Sequence, residues 1–142
     1  MGTTSPSEKL DVSGNINANQ NAFCIKLIAD EAISVGDVVV VSSSTDLRVV
    51  QSGISAGDEH VVGVAVSSAT GAGRPVTIAV GGAVQVTVNN TVTRGDFLET
   101  GTVAGRVQSS GTAGGAGDFG IALESGTAGN LVWMIFKKTE VY

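Results

Sequence analysis

The sequence predicts an all-β protein, and three observations carry that expectation: apolar content dominated by Val, many more glycines than prolines, and short apolar runs cut repeatedly by turn residues. Val branches at Cβ, which restricts χ1 and suits a pleated surface better than a helix. The 142 residues are 42% hydrophobic but only 4% aromatic, with 20 Gly against 2 Pro. A core for such a chain must therefore be assembled from small branched side chains. Its apolar runs recur every ~8–12 residues between clusters of Gly, Asp, Asn and Ser, the spacing of a small sandwich or barrel. No window sustains an apolar stripe at the helical period. The length suits one domain with a real core.

Taken in order, the chain opens with "MGTTSPSEKLDVSGNINANQN", residues 1–21, polar and rich in Ser, Thr, Asn and Gly. Leu10, Val12 and Ile16 are apolar within it, and Leu10 and Val12 alternate with polar residues. Two readings stand: an extended arm that adds a short strand to a partner's sheet, or a solvated tail. Residues 22–142 then form a single β domain. "AFCIKLIAD" places Phe23, Ile25 and Leu27 on one face and reads as its first strand. "DEAISVGD" has room for one helical turn at most before Gly36-Asp37 closes it.

An internal repeat organises the rest, spanning approximately residues 34–80 and 93–136. Gly36-Asp37 matches Gly95-Asp96, and Arg48-Val49 matches Arg106-Val107. Gly63-Val64-Ala65-Val66 matches Gly120-Ile121-Ala122-Leu123, and Val76-Thr77-Ile78 matches Val132-Trp133-Met134. Two copies are too few for a solenoid and predict a pseudo-twofold β domain. Each half should hold a Gly-Asp turn, two or three strands and a Gly-rich hairpin. "GGAVQVTVNNTV" lies between the halves, with Val84, Val86 and Val88 alternating and Asn89-Asn90 as its turn.

The second Gly-Asp belongs to "TRGDFLET", whose Arg94-Gly95-Asp96 has the form of a cell-adhesion ligand. The first copy keeps Gly-Asp but has Val35 where Arg94 stands. What the halves share is a turn: Gly supplying positive φ, Asp bonding nearby backbone N–H groups, then a strand. Gly36, Asp37, Gly95 and Asp96 are accordingly assigned as structural turns, and the adhesion reading is set aside.

No catalytic constellation emerges, and no enzyme is expected. Gly53-Ile54-Ser55-Ala56-Gly57 satisfies G-x-S-x-G, but a nucleophile elbow requires a following helix and a later His, whereas the single His60 precedes a strand. One His and one Cys, Cys24, assemble no zinc set, and Cys24 has no partner for an internal disulfide. Asp30, Glu31, Asp58 and Glu59 lie in loops without the spacing of a calcium loop. "GTAGGAG" carries no Lys-Ser/Thr and cradles no phosphate. Asn89-Asn90-Thr91 is a formal glycosylation sequon better explained by its turn. Lipoyl and biotinyl domains also pair two β halves, but the Lys they present at a tight turn has no counterpart. Trp133, in an apolar strand, reads as core. A net charge of −5 with no Lys/Arg cluster speaks against nucleic acid. No apolar run is long enough to span a membrane, and no secretory signal opens the chain.

At "ISVGDVVVV", "HVVGVAV", "GRPVTIAVGGAVQV" and "DFGIALESG…NLVWMIF" the chain resembles the head decoration proteins of tailed bacteriophages, the lambda type among them. The resemblance covers roughly residues 23–136. It implies a compact β-tulip or β-clip fold and no cofactor. It also implies trimers on the outside of the expanded head, clamping the major capsid protein against internal DNA pressure. The partners would be the major capsid protein and the chain itself as a homotrimer, with no nucleic acid and no membrane, and the location the outer surface of the virion head. The arm residues Leu10, Val12 and Ile16 would then contact the capsid. Two other readings remain: a phage tail, fibre or surface β module that binds a receptor, and a β-clip domain detached from an enzyme that binds a sugar or acidic metabolite.

Overall fold

The structure is a computed structural model and describes residues 22–57 and 60–136. It is all-β. The described residues form nine strands: β1 (Ala22–Ala29), β2 (Val38–Val41), β3 (Arg48–Gln51), β4 (Val61–Ala65), β5 (Pro75–Thr87), β6 (Phe97–Thr100), β7 (Val107–Gly111), β8 (Gly120–Ala122) and β9 (Leu131–Phe136). Their order in the sheet is β1-β3-β2-β4-β5-β9-β8-β6-β7, and β1 also pairs with β5. That extra pairing closes the first five strands into a barrel and leaves four strands to build the second half on the far end of β5.

The two halves repeat one another pairing by pairing. β1 runs parallel to β3 at Ala29–Val49, and the end of β5 meets β7 in a parallel bridge at Val88–Val107. β2 pairs antiparallel with both β3 and β4, as β6 does with β7 and β8. One interior set is Ala29, Ile33, Val39, Val49, Ala65, Val76 and Ile78. Each of these has a counterpart, in order, in Val88, Val92, Leu98, Val107, Ala122, Val132 and Met134. Both sets are buried. Small branched residues at period two fill two narrow interiors, which is why the chain needs so few aromatics.

Three connections differ from the sequence reading. β5 is one 13-residue strand serving both halves, so the alternating segment placed between the halves belongs to both. Its N-terminal part pairs with β1 and β4 and its C-terminal part with β9. Gly82, at φ 92°, allows the chain to deform where it passes between halves. Asn89-Asn90 is a bend leading to β6, which does not pair with β5, so it tips no hairpin. The Gly-rich hairpin expected of each half is found in the second half at residues 125–129, between β8 and β9, whereas residues 110–114 lead from β7 towards β8 on opposite sides of β6 and tip no hairpin.

The halves are tied by backbone. Val38 N–H donates to Gly105 O at 2.8 Å and Gly105 N–H to Ser52 O at 3.0 Å. Thr87 N–H donates to Gly36 O at 3.0 Å, and Thr100 Oγ1 donates to Ser55 O at 3.0 Å. Gly105 is required at this contact, since a Cβ there would lie 2.8 Å from Asp37 Oδ1. It has φ 73°, and its counterpart in the first half is Leu47, at φ 61° and 86% exposed.

A left-handed Leu costs about 1–2 kcal/mol relative to a residue without Cβ, partly offset by the extra freedom Gly brings to the unfolded chain. Leu47→Gly should therefore raise the unfolding free energy by about 0.5–1 kcal/mol in urea titration, and a loss of stability would contradict the assigned backbone.

Candidate functional site

The two Gly-Asp turns are built identically. Ser34 N–H donates to Asp37 Oδ2 at 2.8 Å, and Asp37 N–H returns to Ser34 O at 3.1 Å. In the second half Thr93 N–H donates to Asp96 Oδ2 at 3.0 Å and Asp96 N–H to Thr93 O at 3.0 Å. Gly36 and Gly95 sit at φ 89° and 91°. Each donates to the Ala carbonyl of the Gly-x-Ala strand, at 2.9 Å to Ala65 and 2.8 Å to Ala122. A side chain from the neighbouring strand completes each carboxylate: Gln51 Nε2 at 2.7 Å on Asp37 and Ser109 Oγ at 2.7 Å on Asp96. The Asp of Arg94-Gly95-Asp96 is thus occupied in holding its own turn. Arg94 is exposed, and its backbone N–H donates to Ser125 Oγ.

What separates the two turns is their cover. Gly36, Asp37 and Val38 are buried, whereas Gly95 is exposed and Asp96 and Phe97 are half-buried. A Cβ on Gly36 would fall 2.6 Å from Leu131 Cδ2 and 2.8 Å from Thr87 Oγ1, both in the second half. A Cβ on Gly95 would meet nothing within 4 Å. The same holds along the sheet. Val38, Val64 and Ala79 pair in a row across β2, β4 and β5, and all three are buried. Their counterparts Phe97, Ile121 and Ile135 pair in a row across β6, β8 and β9. Phe97 and Ile121 are half-buried, and Ile135 is 37% exposed. Larger apolar side chains stand where the cover is missing. Leu131 and Trp133 continue this outer face on β9, so Trp133 is half-buried and not core as its apolar run suggested; Val132 and Met134 take the interior positions.

β1 is a second apolar exposure. Phe23, Ile25 and Leu27 share a face, but Phe23 is 71% exposed and Ile25 43%. Their counterparts on β5 are Gly82, Val84 and Val86, of which the two valines are fully buried. Residues 1–21 lead directly into this strand. Leu10, Val12 and Ile16, assigned to capsid contact, lie outside the described residues.

The remaining candidates resolve into structure. Residues 53–57 form bends and turns followed by strand β4, without the helix a nucleophile elbow needs. The open groove beside them is lined among the described residues by Val40, Val41 and Val50, with Ser43, Gln51 and His60, and no carboxylate among them. No group of three or more His, Cys, Asp or Glu comes together among the described residues. Asp30 is engaged by Ser42 Oγ–H at 2.8 Å and by Arg48 Nη1 at 3.2 Å, and Glu31 accepts from Gln51 N–H. Asp58 and Glu59 lie outside the described residues. In the Gly-rich loop, the buried Asp118 carboxylate accepts from Ser110 Oγ and Gly115 N–H. A loop centred on its own carboxylate repels a phosphate.

Among solved structures the fold is similar to that of the head fiber gp8.5 N base of bacteriophage phi29, with a TM-score of 0.59 and 22% sequence identity. The match covers 83% of this chain and 98% of that one, and at such identity it is a likeness of fold. No protein-family profile and no curated protein matches the sequence.

Gly95→Ala should cost about 1–2 kcal/mol through positive φ alone, and Gly36→Ala clearly more, because its Cβ also collides with the second half. Arg94→Ala should be near neutral by the same urea titration; equal costs at the two glycines would contradict the difference in cover. The Ser42 hydrogen bond is the main cause holding the Asp30 carboxyl below its ordinary 3.8; desolvation opposes it, and Thr45 and Arg48 add to it. A depressed carboxyl stabilises the fold above the ordinary range and loses that contribution as pH falls through the lowered value. The stability gap between the parent chain and Asp30→Asn should be full at neutral pH and shrink in acid below 3.8. A gap unchanged in acid would contradict the assignment.

Proposed function

We propose that this chain is a structural protein of a bacteriophage head: a non-catalytic decoration protein that binds the outside of the expanded capsid as trimers and stiffens it against the pressure of packaged DNA. The observation that carries the reading is the shared architecture with a head fiber base, which spans 98% of that chain. The sequence motifs of the two Gly-Asp halves point the same way. The closed barrel of the first five strands, continued into the second half by β5, supports it as well, because a clamp needs a scaffold with apolar patches more than it needs chemistry. In this reading residues 1–21, with Leu10, Val12 and Ile16, anchor the body to the major capsid protein, and neither nucleic acid nor membrane is a partner.

Ordering such an arm costs ~2–5 kcal/mol, so one arm binds modestly. Three arms presented together gain ~10²–10⁴ in affinity through effective concentration, provided the sites on the shell match their spacing. Binding only after expansion follows when the spacing matches only then.

A second reading has its own support. The similar protein is the base of a head fiber, which favours a module that carries or belongs to a longer receptor-binding assembly. Co-sedimentation with empty expanded heads of the parent phage separates the two. Saturable binding by the full chain, lost on removal of residues 1–21, is the expected result. Absence of binding by either chain would remove the capsid reading and leave the receptor module.

A further inference from the structure

We infer that copies of this chain join head to tail, through a junction that repeats between molecules the contact its two halves make within one. Inside the chain, the first Gly-Asp turn is covered by three elements of the second half. Thr87 and Leu131, paired across β5 and β9, close over Gly36, and Gly105 closes over Asp37 and Gln51. The counterparts of those three covering residues in the first half are Ile28, Pro75 and Leu47. They form one patch: Ile28 pairs with Pro75 across β1 and β5 and with Arg48, the neighbour of Leu47, across β1 and β3. All three are exposed, with Ile28 at 37% and Leu47 at 86%.

The surface this patch would cover is the open second turn with its row of Phe97, Ile121 and Ile135. Each molecule thus carries both sides of one contact, unmatched, one in each half. By the internal precedent, Ile28 and Pro75 of one copy lie against Gly95 of the next, and Leu47 against Asp96 and Ser109. Charge agrees at the rim. Asp46 beside Leu47 and Arg94 beside Gly95 are both exposed and of opposite sign, where the internal contact has the uncharged Ala104 and Val35. Both surfaces are bulkier than their internal versions, with Leu for Gly105 and Phe, Ile and Ile for Val38, Val64 and Ala79. Copies therefore sit farther apart than the halves do. A Leu held in the left-handed region with its side chain in solvent also has a reason here, since strain kept at the surface marks a contact. The junction is heterologous, so its rotation decides between a closed ring and a filament. The inference rests on the reading above only in requiring that copies associate.

The test is sedimentation velocity of the full chain and two variants, Leu47→Asp and Ile135→Glu, with thermal melting as the folding control. Ile28→Glu replaces the first variant if it melts early, because Ile28 is exposed on the same patch and lies on ordinary strand backbone. The parent chain is expected to associate with rising concentration and each variant alone to stay monomeric. An equimolar mixture of the two variants is expected to recover a dimer, since each supplies the surface the other has lost. A parent chain that stays monomeric would give the patch to residues 1–21 or to another protein, and overturn the junction. So would association that survives either substitution, or a mixture that stays monomeric where the parent associates. Failure to co-sediment with heads leaves all these outcomes readable, and would count against the capsid reading alone.

Discussion

The structure depends on the burial of one turn. Val38 N–H on Gly105 O, Gly105 N–H on Ser52 O and Thr87 N–H on Gly36 O join the halves through backbone, and the Asp37 carboxylate lies beneath them. Buried backbone groups without partners are costly, so these three bonds fix how the second half seats on the first. They also dictate residue size, since both Gly36 and Gly105 lie where a Cβ would strike the other half. β5 supplies the covalent part of the same arrangement by running through both halves as one strand.

One motif therefore lives in two environments. The turn hydrogen bonds are the same in each half to within a few tenths of an ångström, so the turn itself needs no cover. What cover changes is the row of side chains beside it, buried as Val38, Val64 and Ala79 and open as Phe97, Ile121 and Ile135. The larger residues stand where the row is less covered, with Phe97 and Ile121 half-buried and Ile135 exposed. The face of β1 that carries Phe23 and Ile25 is a second apolar exposure.

Much of this was legible from the residues. Val-rich alternation and glycine punctuation led to an all-β chain, and Gly-Asp with Gly-x-Ala marked where the halves begin, because turn chemistry is local. Two things were not. The segment from Gly81 was read as lying between the halves, yet Gly81 and Gly82 are the middle of β5, since pairing with three other strands outweighs the local weakness of Gly. Period-two alternation gave Phe23 and Ile25 a face but not a side, and the unbroken apolar run around Trp133 gave neither, because which side is covered depends on where the other half packs. Phe97, Ile121 and Ile135 were missed for the same reason: in sequence they differ from their buried counterparts only in size, and that increase in size was the one available signal.

One Gly-Asp turn is covered by the other half of the chain and its copy is open. The most direct measurement of that asymmetry is native-state hydrogen exchange at the Gly36 and Gly95 amides in dilute, monomeric protein. Both donate equivalent bonds, to Ala65 at 2.9 Å and to Ala122 at 2.8 Å, so only their cover differs. The account predicts that Gly36 exchanges only with global unfolding, while Gly95 exchanges much faster through local opening. Equal protection at the two amides would contradict it.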